Sequence, residues 1–294
     1  QKAGALGRCG LGPSLDGLFS QSNLGIVTRM SVWLMPEPEA FQAFFFLCRD
    51  EHALGPVIDA LRPLRLNGTL RSIMHIGNDY KVLTGTSQYP WAEMNGRTPL
   101  DRTTMDRLRK TLNIGAWNGA GGLYGTRAQV RDARAQVRRA LKGLVDRVQF
   151  VDDRLLRIMR RFATPFRLAS GWDISRTLQV LAPVYGLMKG VPTEAPMSSA
   201  YWRKKSAVPR DIDPDRDGCG LLWCSPVLPN TGAHALAVTR LATDVLLAHG
   251  FEPQMSLSLA TERSAICVVT ISYDRNEPGE DARALDCYRA LVEA

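Results

Sequence analysis

The sequence predicts an α+β fold, an antiparallel sheet with helices packed on one of its faces. Three observations lead there. Strand-like and helix-like segments alternate in two successive β-α-β passages, and again in a β-α-β-β-α passage. The helical segments are apolar along one side only, as helices resting on a sheet must be. Late in the chain Met255, Leu257 and Leu259 alternate with Ser256 and Ser258, the two-residue period of a strand with one buried face.

Taken in order, Phe41 to Leu47 reads as a strand, and Leu54, Val57, Ile58 and Leu61 form the inner face of a helix. Leu70 to Ile76 is strand-like, and residues 77–100, rich in Gly, Asn, Thr and Pro, read as loop. A short helix over Leu100 to Leu112 and a glycine-rich strand over Ala116 to Tyr124 follow. The clearest helix runs from Arg127 to Val145, with Val130, Ala133, Val137, Ala140, Leu141 and Leu144 as its apolar stripe; Arg147 to Val151 closes the passage as a strand. This order suggests a ferredoxin-like half. Asp152 to Gly218 is irregular, with an Arg-rich helix, then Trp172 to Leu181, then a proline-punctuated stretch to Pro209.

The last third repeats the theme. A strand over Gly220 to Ser225 precedes a helix over His234 to His249, which ends at Gly250. The Met255–Leu259 strand pairs with Ala265 to Tyr273, and Glu280 to Val292 is an amphipathic helix. Residues 38–294 are therefore expected to form a duplicated ferredoxin-like domain, the second copy lacking its final strand, which suggests a domain that continues beyond the sequence.

Composition fits a globular protein: 294 residues, 45% hydrophobic and 22% charged. No run of 18 apolar residues occurs, so no transmembrane helix is expected. The net charge of +8 is concentrated in arginines such as Arg127, Arg131, Arg134, Arg138, Arg157 and Arg160, which read as a solvated helix face rather than a nucleic-acid site. None of the six cysteines forms a CxxC pair, and no metal site is expected. Asp213 to Gly218 resembles the opening of a calcium loop, but Cys224 stands where the bidentate Glu would be required, so it reads as a solvated turn.

Ahead of the domain lies Gly10 to Pro38. Its first part is broken by glycines, and its second, Gly25 to Met35, is a strand-like apolar run stopped by Pro36 and Pro38. A loop of Gly, Ser and Asn before a strand offers bare backbone groups to a ligand. The wording GPSLDGLFSQSNLGIVTRMSVWLMPEP over residues 12–38 resembles the end of the flavin-binding domain in the vanillyl-alcohol oxidase/p-cresol methylhydroxylase family, flavoenzymes that oxidise 4-alkylphenols. The resemblance continues through LNIGAWNGAGGLYG (112–125), LMKGVPTEAPMSSAYWR (187–203) and GLLWCSPVLPNTGAH (220–234). It implies that residues 1–37 are the last piece of an FAD-binding domain and residues 38–294 a substrate (cap) domain, truncated at its C-terminal end.

The resemblance also implies roles. Ser22, Asn23, Gly25, Ile26, Val27 and Thr28 would contact FAD. Glu262, at a turn between two core strands, would take the phenol proton or activate water, and Trp223 and Met255 would line the substrate pocket. Some relatives attach flavin covalently through a His or Tyr just before LWCSP; here Leu221 and Leu222 stand there, so noncovalent FAD is expected. Hydride transfer from the benzylic carbon of a 4-alkylphenol through a quinone methide would be the reaction. Oxygen or a cytochrome c subunit would accept the electrons, the latter placing the enzyme in the periplasm rather than the cytoplasm. The resemblance further implies a homo-oligomer without nucleic-acid or membrane partners. A competing reading is a non-catalytic ferredoxin-like module, binding RNA through the Arg-rich helix; it requires stacking aromatics on an exposed sheet face.

Overall fold

Strand β1 (Ala40–Cys48) carries Phe44 and Phe46 on one side and Phe41, Ala43 and Phe45 on the other, so both its faces demand cover. The computed structural model describes residues 15–20, 22–170 and 174–294, with side chains left out over 162–180. It divides into two units, residues 1–38 and 39–294.

The larger unit contains α1 (Leu54–Leu66), β2 (Met74–Asn78), α2 (Asp79–Thr84), α3 (Arg102–Leu112), β3 (Trp117–Gly125), α4 (Arg127–Ala140) and β4 (Arg147–Val151). These are followed by α5 (Asp153–Ser170), α6 (Ile174–Met188), β5 (Cys219–Cys224), β6 (Val227–Pro229), α7 (Gly232–Ala248), β7 (Gln254–Leu259), β8 (Ser264–Asp274) and α8 (Glu280–Glu293). The strands make one sheet in the order β4-β1-β3-β2-β7-β8-β5, with β6 beside β8. Every neighbouring pair is antiparallel. The path β1-α1-β2-β3-α4-β4 fills one half, and β5-β6-α7-β7-β8-α8 follows a similar course in the other, with no described strand after α8. The halves join where β2 meets β7, through Met74–Leu259, His75–Ser258, Ile76–Leu257 and Gly77–Ser256.

Helices α1, α4, α7 and α8 cover one face. Beneath them Phe44, Ile76, Leu257 and Ile271 are sealed from solvent in one continuous core, and each such side chain contributes about 1.5–3 kcal/mol. The glycines of β3 have a steric purpose here: a Cβ at Gly119 would lie 2.0 Å from Phe46 Cζ, and one at Gly121 2.7 Å from Phe44 Cζ. The rings of β1 thus lie flat across β3. Capping sets the helix starts. Thr126 and Gln129 exchange side-chain and backbone hydrogen bonds at the head of α4, at 2.8 and 3.2 Å. At the head of α7 the cap is Thr231, whose Oγ1 accepts the His234 N–H at 3.4 Å.

Four expectations are corrected. Helices do not keep to one face: on the other side of the sheet Tyr185 of α6 packs against Phe41 (ring centroids 5.1 Å apart), and Leu156 of α5 joins Ala43 and Val151. Two-sided apolarity in β1 is the reason. Residues 70–73 are not strand, because Leu70 N–H donates to Leu64 O (2.8 Å) and Arg65 Nη1 donates to Leu70 O and Ser72 O. Inside the expected 77–100 loop lies α2, begun where Asn78 Oδ1 accepts the Lys81 N–H at 3.0 Å. Helix α4 stops at Ala140 rather than Val145, ahead of a turn that holds Gly143 at φ +78°.

In the smaller unit the described residues include a short helical turn, Asp16–Phe19, and then chain in neither helix nor strand. Gly25 to Met35 is not a strand there, since no other segment among that unit's described residues pairs with it. Residues 1–14 and 21 lie outside the described residues.

Candidate active site

On the face of the sheet away from α1, α4, α7 and α8, α5 and α6 cover β1, β4 and the Tyr124 end of β3, and Lys81 of α2 lies over Gly77 of β2. Across the middle and far side of this face the register brings together residues distant in sequence. His75 of β2 stands between Ala120 of β3 and Ser258 of β7. On β5, Leu221 and Trp223 lie opposite Ser272 and Thr270 of β8, and Val227 of β6 lies opposite Ile266. Trp223 is 59% exposed and Val227 70%. Trp223 and Val227 are therefore open to solvent at the β5–β6 edge, while Thr270 and Ser272 opposite β5 are buried (2% exposed each) and His75 stands three strands away.

Ser258 Oγ and His75 Nδ1 share a hydrogen bond of 2.9 Å. The outer edge of the ring reaches solvent, but the sheet crowds its other side, and this lost hydration lowers the imidazole pKa from its ordinary 6.5. The unfolded chain therefore holds this proton more tightly than the folded one. Stability from this group rises with pH between the folded and unfolded values and is complete above about 6.5. We expect the His75 C2–H resonance to titrate below pH 6.5; a midpoint at or above that value would contradict the crowding. Lys81 of α2 lies on the same face, its Cγ 3.4 Å from where a Gly77 Cβ would stand, and burial lowers its ammonium pKa as well. Neither residue stands out in the sequence. A single His in a strand and a Lys in a supposed loop carry no signal until the register is known.

The residues expected to act together are dispersed. Trp223 is on the open face, whereas Met255 is 2% exposed in the helix-side core, opposite Val269. One pocket on one face cannot take both. Glu262 is exposed in the turn between β7 and β8, and its charge acts on Arg65, whose Nη2 donates to Ala260 O at 3.2 Å. Leu221 shares the open face with Trp223, while Leu222 points into the helix-side core beside Cys224. Burial raises the Cys224 thiol pKa, so little nucleophilic thiolate exists there. His234 lies in the first turn of α7, its Nδ1 2.7 Å from Oγ1 of the capping Thr231. In the Asp213–Gly218 turn, Asp213 Oδ1 accepts the Arg216 N–H, and Asp217 accepts the Tyr201 hydroxyl at 2.5 Å. In the smaller unit Ser22 Oγ accepts the Leu24 N–H at 3.2 Å, and Ile26 is 92% exposed.

No protein-family model matches the chain. Over 287 residues it is 43% identical to a 1'-carboxy-chondrochloren decarboxylase of Chondromyces crocatus, covering 97% of this chain and 53% of that protein. Over 292 residues it is 28% identical to the 4-cresol dehydrogenase (hydroxylating) flavoprotein subunit of Pseudomonas putida, covering 97% and 48%. A substrate-bound crystal structure of p-cresol methylhydroxylase superposes with a TM-score of 0.76 at 26% identity, over 97% of this chain and 48% of that one. The chain is a homologue of the 4-cresol dehydrogenase flavoprotein subunit and matches p-cresol methylhydroxylase in structure. A 4-ethylphenol oxidase from Gulosibacter chungangensis, in complex with isoeugenol, shares the fold with a TM-score of 0.82 at 23% identity, over 100% of this chain and 51% of that one. The chain spans about half the length of the curated relatives it matches. One of these relatives is named a flavoprotein subunit, and the antiparallel sheet with flanking helices is the part of the shared fold described here.

Proposed function

We propose that this chain belongs to an FAD-dependent oxidoreductase that dehydrogenates 4-alkylphenols. The observation that carries the proposal is the similarity, in sequence and in fold, to p-cresol methylhydroxylase along 97% of the chain. In this reading residues 1–37 close an FAD-binding domain and residues 38–294 form the substrate domain. Bound FAD would supply the hydride acceptor. The protein's own part is to bind the phenol, orient its benzylic carbon, exclude water until needed, and manage the phenol proton. Ser22, Asn23, Gly25, Ile26, Val27 and Thr28 are the proposed FAD contacts; they lie in neither helix nor strand, which leaves backbone groups available to a ligand. Leu221, Trp223 and Val227 would hold the ring. Glu262 remains the proposed proton acceptor, with the neutral His75 and the desolvated Lys81 as further groups able to hold or move a proton. The oxidised substrate, a quinone methide, would then add water or lose a proton to give an alkene. Electron transfer to a cytochrome c subunit, and a homo-oligomeric assembly, belong to the same proposal.

A second reading follows from the 43% identity to a protein named a decarboxylase. There the substrate's side chain carries a carboxyl group, lost as CO2 in the same two-electron oxidation. The RNA-binding alternative finds little support, because Phe41, Phe45 and Tyr124 pack with residues of α5 and α6 instead of offering rings for stacking.

The test uses the full-length protein. Its flavin absorbance should bleach anaerobically on adding 4-ethylphenol, and acid precipitation should release the flavin into solution, because Leu221 and Leu222 offer no nucleophile. Bleaching with a carboxylated 4-alkylphenol alone, with CO2 released, would select the decarboxylating reading. Protein that carries no flavin would sink both, and colour that stays with the precipitate would overturn the noncovalent assignment.

A further inference from the structure

The outer face of α7 is apolar where a water-facing helix is normally polar. Ala233, Ala237, Leu241, Leu247 and Ala248 are all exposed on it. In α4, on the same side of the sheet, the exposed positions include Arg127, Arg131, Asp132 and Arg138 instead. A helix that is apolar all round belongs between two layers, and the sheet supplies only one. Helix α8, which packs against α7, adds exposed Leu285 and Val292 to the surface. We propose that this face is a contact between two copies of the chain, their α7 helices antiparallel about a two-fold axis, with Arg240 of each copy meeting Asp244 of the other. The proposal rests on the homo-oligomeric part of the proposed function and is independent of its chemistry.

Charge is what selects a second copy as the occupant. Arg240 and Asp244 are the only Arg, Lys, Asp or Glu side chains in α7, and both are exposed. Charges spaced in a similar way elsewhere pair within their own helix, Arg102 with Asp106 and Arg289 with Asp286. Arg240 and Asp244 form no ion pair among the described residues. They stand about one turn apart, at equal distances on either side of Ala242. A two-fold axis at the level of Ala242 exchanges their levels. The guanidinium of one copy then comes opposite the carboxylate of the other, and the meeting occurs twice.

A contact between identical surfaces must complement itself in this way, whereas a contact with a different protein carries no such requirement. The same axis sets Ala237 of each copy opposite Leu247 of the other, a small side chain facing a large one. The leucines supply apolar area, and the ion pairs at the contact fix register and orientation more than they add affinity. A stable contact needs about 1,200 Å² in total, more than one helix pair offers, and Leu285 and Val292 of α8 widen it.

The test is sedimentation velocity of the full-length protein and of charge-reversed variants. Arg240→Asp and Asp244→Arg each set like charges against one another at both meetings, and each should weaken self-association about a hundred-fold. Mixed in equal amounts, the two variants match again, because the acidic pair of one meets the basic pair of the other, and association should return to the wild-type level. Ala237→Glu, a helix-favouring change at an exposed position, should weaken association by itself. Thermal melting should place all three variants at wild-type stability, since the substituted positions are exposed. Flavin bleaching by 4-ethylphenol reads the reaction separately and should be the same in every variant. Full-length protein that is monomeric throughout, variants that associate as the wild type does, or a mixture no better than its components would overturn the contact.

Discussion

Replacing Glu252 by Ala is expected to destabilise the larger unit by about 3–5 kcal/mol, the largest single effect we anticipate away from the open face. Its carboxylate is buried and accepts four hydrogen bonds: two from Arg203, one from Trp202 Nε1 (3.0 Å) and one from the Leu100 N–H (3.3 Å). Removing it strands a guanidinium that is itself 1% exposed, held between Tyr89 and Phe251. The desolvation cost of that charge stays while its partner is lost. The double replacement Arg203→Met with Glu252→Leu removes both charges together and should cost much less. Urea unfolding followed by tryptophan fluorescence measures both; equal losses in the single and double variants would show that packing, not the unpaired charge, dominates.

Gly119→Ala is expected to cost about 1–3 kcal/mol, the usual range for overpacking, and Gly119→Val more. The new Cβ would meet Phe46 at 2.0 Å from Cζ, 2.2 Å from Cε1 and 2.6 Å from Cε2, so the ring as a whole must move. Phe46 is 4% exposed in the main core, and close-packed interiors leave a ring little room to move. Phe46→Leu in the same chain should recover part of the loss, a coupling that a double-mutant cycle reads directly. Gly85→Ala is the control: the nearest atom stands 3.6 Å away, and thermal melting should register almost no change.

Much of the fold is legible in the sequence because it is local. The stripe of α4, its opening at Thr126 and Gln129, and the alternation in β7 follow from spacings of two to four residues. The family is legible from wording. What escapes is register. Alternation says that Met255 and Leu257 share a face, but not that Trp223, on another strand, takes the opposite one; that depends on Met255 pairing with Val269 while Trp223 pairs with Thr270. His75 and Ser258 are 183 residues apart in sequence, and Arg203 and Glu252 are 49 apart. No periodicity reports either meeting. The cover that α5 and α6 give to Phe41 and Ala43 escapes for a different reason: a strand apolar on both sides needs two layers, and the spacing of helices along the chain does not say which of them supplies the second.

The seam between β2 and β7 makes the two halves a single stiff plate. Four residue pairs, Met74–Leu259 through Gly77–Ser256, carry the sheet across it without interruption. A hinge at that line would have to break backbone hydrogen bonds and open the core beneath Ile76 and Leu257 at the same time. The halves must therefore melt together, and neither is a portable module: cut apart, each would present a raw strand edge, the kind of surface on which chains stack and precipitate. The duplication visible in the path of the chain has been spent on span, giving one broad floor whose fittings on β2 and on β5 keep a constant separation.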